Sequence, residues 1–251
     1  MASNMVNKRI LRELKDLEES KEELIKNGIH FFYEESNINM IYALFIGQKD
    51  TPYEYGFYFI SFEFPTTYPM QPPVAKYQTQ GSVYDPVTKK IVNVRFNPNL
   101  YTCGKVCLSM LNTWSGPGWT PANTIHNVLI AIQSLVLNNN PLQNEPGFEN
   151  ASKTVLDKYN NALTYANIKI AILELINDLI ENKYPDNKFN AFKNVIFKHF
   201  IENIGIYSEY IMSKSSELNG QVCDAGVYSL RLLFDSSDLL NQLNNNASRI
   251  L

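Results

Sequence analysis

The sequence predicts an α+β protein: one amphipathic helix, a series of short β-rich segments, then helices to the end of the chain. Three observations carry this. Val6, Ile10, Leu14, Leu17 and Leu24 recur near helical spacing among Lys, Arg and Glu. Runs rich in Tyr, Phe and Ile at 29–33, 39–46 and 56–64, with short polar connections, predict an antiparallel meander. From residue 150 onward the apolar residues return to a helical period.

The first helix is expected to end near Asn27-Gly28, a C-terminal cap signal. A short fourth strand at 74–77 follows Pro72-Pro73. The proline-rich stretch 65–73 before it must be a loop, because proline cannot donate to a strand ladder. Residues 78–94 contain Tyr84-Asp-Pro-Val-Thr-Lys89, whose turn chemistry predicts an extra hairpin. Thr120-Pro121 reads as a helix start, with Thr120 as cap and proline in the first helical position. Ile125, Val128, Leu129, Ile132, Leu135 and Val136 then form one apolar stripe, so this central helix should pack on the sheet. Asn138, Asn139, Asn140 and Pro141 end it. Leu156, Tyr159, Leu163, Ala166, Ile170, Leu173 and Ile176 predict a long helix that stops before Pro185. Two further helices are expected at 192–204 and 206–218, split by Gly205, and a last one at 227–243. The tail at 244–248 is expected to fray. The chain thus divides into a core over 1–149 and a helical C-terminal extension over 150–251, packed on the core.

Of the 251 residues, 45% are hydrophobic and 19% charged, which is the balance of a folded globular chain that can bury a sizeable core. The net charge of -3 and the lack of a long Lys/Arg run disfavour nucleic acid as a partner. No apolar stretch precedes a cleavage site near the N-terminus, and the most apolar helical run carries Lys169, Glu174 and Asp178, so neither a secretory signal nor a membrane span is expected. Three cysteines cannot build a disulfide framework, which points to a reducing compartment, the cytoplasm or nucleus.

The stretch Arg95-Phe-Asn-Pro-Asn-Leu-Tyr-Thr-Cys-Gly-Lys-Val-Cys-Leu-Ser109 is the candidate site. It holds two turn signals, Asn97-Pro98-Asn99 and Cys103-Gly104, and little regular structure. Irregular backbone resting on packed elements is where reactive groups tend to lie. Cys107 is the candidate nucleophile.

Asn97-Pro98-Asn99 followed by Cys107-Leu108 resembles the active-site segment of ubiquitin-conjugating enzymes, whose usual motif is His-Pro-Asn, a short turn with glycine, then the reactive cysteine. Thr51-Pro-Tyr-Glu-Tyr-Gly56, Phe64-Pro-Thr-Thr-Tyr-Pro-Met-Gln-Pro-Pro73 and Trp119-Thr-Pro-Ala122 resemble three further loops of that family, in the family's order. The runs Lys105-Val-Cys-Leu-Ser-Met-Leu-Asn-Thr-Trp-Ser-Gly-Pro-Gly-Trp119 and Asn144-Glu-Pro-Gly-Phe-Glu149, with the helical C-terminus, are most similar to the Z-type conjugating enzymes and the conjugating domains of the very large family members.

The resemblance implies a ubiquitin-conjugating fold and an acyl transferase. Cys107 would take ubiquitin or a ubiquitin-like protein as a thioester from an activating enzyme and pass it to a substrate lysine or a ubiquitin ligase. No cofactor is implied; ATP is consumed by the activating enzyme. An ordinary cysteine thiol, with pKa near ~8.5, keeps a few per cent thiolate at neutral pH, enough for thioester exchange without a histidine base. Asn99 would donate to the tetrahedral oxyanion, or brace the turn, or both. The sulfur of Cys107 is expected at the lip of a shallow groove, with the Asn99 amide facing it. Asn97 stands where the family has histidine, a position that mostly braces the turn. The loop 141–145 lacks the family's aspartate; Gln143, Asn144 and Glu145 are the candidates for orienting the incoming lysine. Lys8, Arg9 and Arg12 are candidates for docking the activating enzyme, and Met70, Pro121 and Ala122 for gripping a ligase. Cys103 is read as a turn residue.

Two other readings compete. One is a binding module of the same fold without catalysis. The other is a cysteine hydrolase built on Cys107 and His126, which the placement of His126 beside the apolar stripe disfavours. His30 and His199 have no metal-ligand spacing with the cysteines.

Overall fold

The computed structural model describes residues 2–251, with side chains from residue 5 onward. Helix α1 spans Ala2–Glu19 and α2 spans Lys21–Lys26, so the expected single helix breaks at Ser20. The Ser20 hydroxyl donates to the Asp16 carbonyl at 2.8 Å, a local bond that competes with helix propagation. Gly28 then turns the chain with φ of 73° into the sheet, and a Cβ there would meet the Ile46 carbonyl oxygen at 2.8 Å.

Strands β1 (Ile29–Glu34), β2 (Asn37–Ile46), β3 (Phe57–Glu63) and β4 (Val74–Tyr77) form one antiparallel sheet in sequence order, the predicted meander. In β3, Phe57 to Phe62 are all buried, so the period of two expected for a half-exposed strand is absent. Both faces are covered. Phe59 stacks on Phe189 at 4.6 Å and Phe57 meets His199 edge-on, while Tyr58 on the opposite face meets Tyr53 and Phe96. The C-terminal region therefore seals one face of the sheet. Buried side chains from Ile10 to Ala247 belong to one continuous core.

The extra hairpin is present as β5 (Ser82–Asp85) and β6 (Lys90–Asn93). Asp85 organises its turn by accepting from the Val87 amide at 2.8 Å and the Thr88 hydroxyl at 2.7 Å.

The central helix α3 covers Ile125–Ala131, and its cap is Thr124, not Thr120. Thr124 and Asn127 form a reciprocal capping box. Asn123 takes up both the amide and the hydroxyl of Thr120 in a separate turn that precedes the helix, so Pro121 and Ala122 lie in an exposed loop. A π-helical turn, Ile132–Val136, ends the element. The wider turn rotates the stripe: Gln133 is buried and donates to Ile46 O and Asn27 O, whereas Leu135 is 57% exposed rather than in the core.

The long helix runs as α4 (Lys153–Ala166), a π-helical stretch (Asn167–Glu174) and α5 (Leu175–Ile180). Helices α6 (Lys193–Glu202) and α7 (Ile204–Leu218) part at Asn203, whose side chain caps His199 O at 2.7 Å; Gly205 lies inside α7. The expected helix at 227–243 is instead a hairpin, β7 (Val222–Asp224) and β8 (Arg231–Leu233), followed by α8 (Ser236–Ile250). The tail expected to fray is pinned: Asn246, 2% exposed, donates to Leu173 O at 2.9 Å, and Arg249 bonds Asn177. No helix among the described residues is long and apolar enough to cross a membrane.

Candidate functional site

The turn before Cys107 is built from the inside outward. Asn97 is fully buried; its amide nitrogen donates to the Tyr53 hydroxyl and to Val136 O, both at 2.7 Å, and its Oδ1 accepts the Asn99 amide at 2.7 Å. Tyr53 in turn donates to Phe96 O at 2.9 Å. One side chain thus ties the 51–56 loop, the end of the central helix and the Asn97-Pro98-Asn99 turn together. This is the bracing expected of the residue standing in place of histidine.

Asn99 then grips Cys107. The Cys107 amide donates to Asn99 O at 2.8 Å, and the Asn99 Nδ2 donates to Cys107 O at 2.7 Å. That bond to a carbonyl fixes which end of the side chain is nitrogen, because only Nδ2 can donate. Its Oδ1 is buried without a partner. Beyond Cys107 the chain folds back: the Thr113 hydroxyl donates to Val106 O at 2.7 Å and accepts the Leu108 amide at 2.9 Å.

The site departs from expectation here. Cys107 is 1% exposed, not at the lip of a groove, and the Asn99 amide engages the Cys107 carbonyl. A groove does open beside it, lined by Asn99, Leu108, Ser109, Trp114, Leu135, Gln143 and Asn144, but Cys107 itself adds nothing to its surface. Cys103 is exposed in the turn closed by Gly104 N–H to Tyr101 O, the bystander position expected of it, and all three cysteines are free.

Of the three lysine-orienting candidates, Gln143 and Asn144 line this groove; Asn144 also donates to Leu135 O at 3.0 Å. Glu145 is turned elsewhere. It accepts the Tyr228 hydroxyl and lies 3.9 Å from Arg95 Nη2. The reason is electrostatic: a half-buried carboxylate settles on the nearest cation and hydroxyl. His126 lies half-exposed on α3, and no cluster of His, Cys, Asp and Glu among the described residues is placed to hold a metal ion.

The docking candidates gather on adjoining elements. Trp119 Nε1 donates to Pro69 O at 2.7 Å, which joins the loop carrying Met70 to the loop carrying Pro121 and Ala122; Met70 is 74% exposed. Arg9 Nη2 donates to Asn123 O at 2.8 Å, which joins α1 to the same loops. Lys8 and Arg12 are exposed, and Arg9 is half-buried. It pairs with Glu13, a carboxylate only 2% exposed that also accepts the Tyr68 hydroxyl and the Ile125 amide at the start of α3. Sequence reading passed over Glu13; an acidic residue inside the apolar spacing of α1, at i+4 from Arg9, was its one signal.

A first helix, a four-stranded meander, a central helix, and an Asn-Pro-Asn turn gripping a downstream cysteine define the ubiquitin-conjugating fold. The chain belongs to the ubiquitin-conjugating enzyme family, whose model matches residues 9–169. It is similar to ubiquitin-conjugating enzyme E2 Z of Xenopus tropicalis, 38% identical over 215 residues, covering 85% of this chain and 63% of that protein. The human protein of the same name is 39% identical over 208 residues, covering 82% of this chain and 54% of its own. The chain therefore spans less than two thirds of the length of these relatives. A solved structure of the E2 domain of a Toxoplasma gondii ubiquitin conjugating enzyme aligns with TM-score 0.45 at 24% identity, over 66% of this chain and 95% of that one.

Proposed function

We propose that this chain is an active ubiquitin-conjugating transferase with Cys107 as its acceptor. The Cys107 thiolate attacks the C-terminal glycine carbonyl of ubiquitin or a ubiquitin-like protein held as a thioester on an activating enzyme. A new C–S bond forms and the activating enzyme's cysteine leaves as thiolate. A substrate lysine amine, after losing a proton, then attacks that carbonyl; the Cys107 sulfur departs and an isopeptide remains. Alternatively a ligase cysteine takes the acyl group. Free lysine has a pKa near ~10.4, so a site with its nearest carboxylate occupied gives slow lysine discharge without a ligase.

The observation that supports this reading is the two-sided grip of Asn99 on Cys107, which holds the cysteine against the Asn-Pro-Asn turn. For Asn99 to donate to an oxyanion, its amide must leave the Cys107 carbonyl. An oxyanion donor contributes roughly 2.7–4 kcal/mol and leaving the Cys107 carbonyl unpaired costs about 1–3 kcal/mol, so the exchange is nearly balanced to favourable in the transition state. Charging also requires the turn after Cys107 to open. Residues 1–149 act as the conjugating core in this proposal and 150–251 as its extension. Lys8 and Arg12 meet the activating enzyme; Met70, Pro121 and Ala122 meet a ligase. The cytoplasm or nucleus supplies the reducing setting and these partners.

A second reading, a non-catalytic module that binds ubiquitin or a ligase, draws on the burial of Cys107. Incubation with activating enzyme, ubiquitin or a ubiquitin-like protein, and ATP separates the two. A reductant-sensitive adduct supports transfer; partner binding without an adduct supports the module.

A further inference from the structure

Within the 225–230 connection between β7 and β8, a turn at 227–230 is closed by Leu230 N–H to Val227 O at 3.2 Å. Its two central residues, Tyr228 (φ 57°) and Ser229 (φ 53°), both adopt left-handed backbone. Turns whose two central residues are both left-handed favour glycine, asparagine or aspartate there, and a bulky side chain is disfavoured. A turn that only connected two strands would be served better by glycine. Strain of this sort, held in place by its surroundings, points to a use for the side chain.

The use is visible in the contacts. The Tyr228 ring lies 4.4 Å from the Arg95 guanidinium carbon, and the Tyr101 ring lies 3.9 Å from it. Arg95 Nη2 donates to Pro98 O, in the middle of the turn that carries Asn99, while Arg95 Nε is buried without a partner. The guanidinium has given up water on that edge and is held by two aromatic faces and one carbonyl. The Tyr228 hydroxyl donates to Glu145, in the loop after the central helix. One side chain of the C-terminal extension thus contacts a side chain from each of the two segments, 95–99 and 141–145, that contribute Asn99, Gln143 and Asn144 to the groove beside Cys107.

We propose that Tyr228 is a positioning residue which, acting through Arg95 and Glu145, holds the Asn97–Asn99 turn and the 141–145 loop in register with Cys107. This rests on the reading of Cys107 as the acceptor. The extension is then a working part of the site, not an appendage.

The test uses the full chain with Tyr228→Gly, which removes the ring and relieves the left-handed backbone, and Tyr228→Phe, which keeps the ring and loses only the bond to Glu145. Three quantities are read: discharge of the Cys107 thioester to free lysine, alkylation of Cys107 by iodoacetamide followed on its own peptide, and melting temperature. Displacing a reacting group slows chemistry steeply, so Tyr228→Gly should lower the maximal discharge rate about tenfold or more with the lysine KM unchanged. It should also speed alkylation of Cys107 while the melting temperature changes little. Tyr228→Phe, which keeps the ring on Arg95 but frees Glu145, should fall between wild type and Tyr228→Gly in both rates. Unchanged discharge and alkylation in Tyr228→Gly would overturn the proposal, as would rates that fall only in step with a lowered melting temperature. If wild type forms no thioester but Tyr228→Gly still exposes Cys107, the transfer reading fails and the positioning role stands.

Discussion

Asn99 holds Cys107 by both ends of its backbone: its carbonyl accepts the Cys107 amide at 2.8 Å and its side-chain amide donates to the Cys107 carbonyl at 2.7 Å. The side chain is therefore structural before it is catalytic. Asn99→Ala leaves a buried carbonyl unpaired and should lower stability by about 1–3 kcal/mol. Asn99→Asp should cost more, since a carboxylate cannot donate and would face that carbonyl. Urea unfolding measures both, alongside lysine discharge from the charged thioester. Wild-type stability in Asn99→Ala would show that the grip contributes nothing to the resting fold.

Glu13 links α1, the 65–73 loop and the start of α3 through Arg9, Tyr68 and Ile125. Removing one partner of a fully buried ion pair costs about 3–5 kcal/mol; Arg9 still meets water, so Arg9→Ala should cost about 2 kcal/mol. Lys8→Ala and Arg12→Ala, at exposed positions, should leave the melting temperature unchanged and raise the KM for the activating enzyme. Thermal melts and charging kinetics on the three variants check this. Arg9→Ala melting like wild type would remove Glu13 from the account of the fold.

His30 sits in a cleft between β1 and α6, lined also by Lys26, Lys49, Lys198, His199 and Glu202. Burial, and then repulsion from His199, lower its pKa to about 4; burial lowers that of His199 as well. The unfolded chain, with histidine near ~6.5, binds the proton more readily than the folded one. The stability is thus fully present above about pH 6.5 and is lost as pH falls toward 4. The shift corresponds to at most about 3 kcal/mol, reduced to ~1–2 by partial exposure. Unfolding free energies between pH 7.5 and 4.5 should show that loss, and His30→Gln should flatten it. An equal slope in both proteins would contradict the assignment.

The meander, the extra hairpin and the segment around Cys107 were legible because their signals are local: runs rich in Tyr, Phe and Ile, prolines that forbid pairing, an Asp-Pro turn. The misreadings came where two local signals competed or where tertiary contacts decided. Thr120-Pro121 carries a valid cap signal, yet Asn123 captures Thr120 and Thr124 caps the helix with Asn127. Leu135 fits the stripe of a regular helix, and only the π turn moves it outward. The hairpin at Val222–Asp224 and Arg231–Leu233 has strands of 3 residues each, too short for a period to show, and Gly226 was the one turn signal in its connection. The tail at 244–248 is polar and reads as frayed, but Asn246 finds a buried carbonyl 73 residues away in sequence. The backbone around Cys107 is also held by Thr113 reaching back to Val106 and Leu108, a contact with no motif of its own.

The central claim is that Cys107 carries the modifier, and adduct mapping on single-cysteine variants tests it most directly. After incubation with activating enzyme, ubiquitin or a ubiquitin-like protein, and ATP, the intact mass of each protein is measured before and after reductant. Cys103→Ala and Cys223→Ala should each gain one modifier that the reductant removes, Cys107→Ala should gain none, and Cys107→Ser should gain one that resists the reductant. An adduct that persists on Cys107→Ala, or a wild-type chain that gains none, would contradict the account.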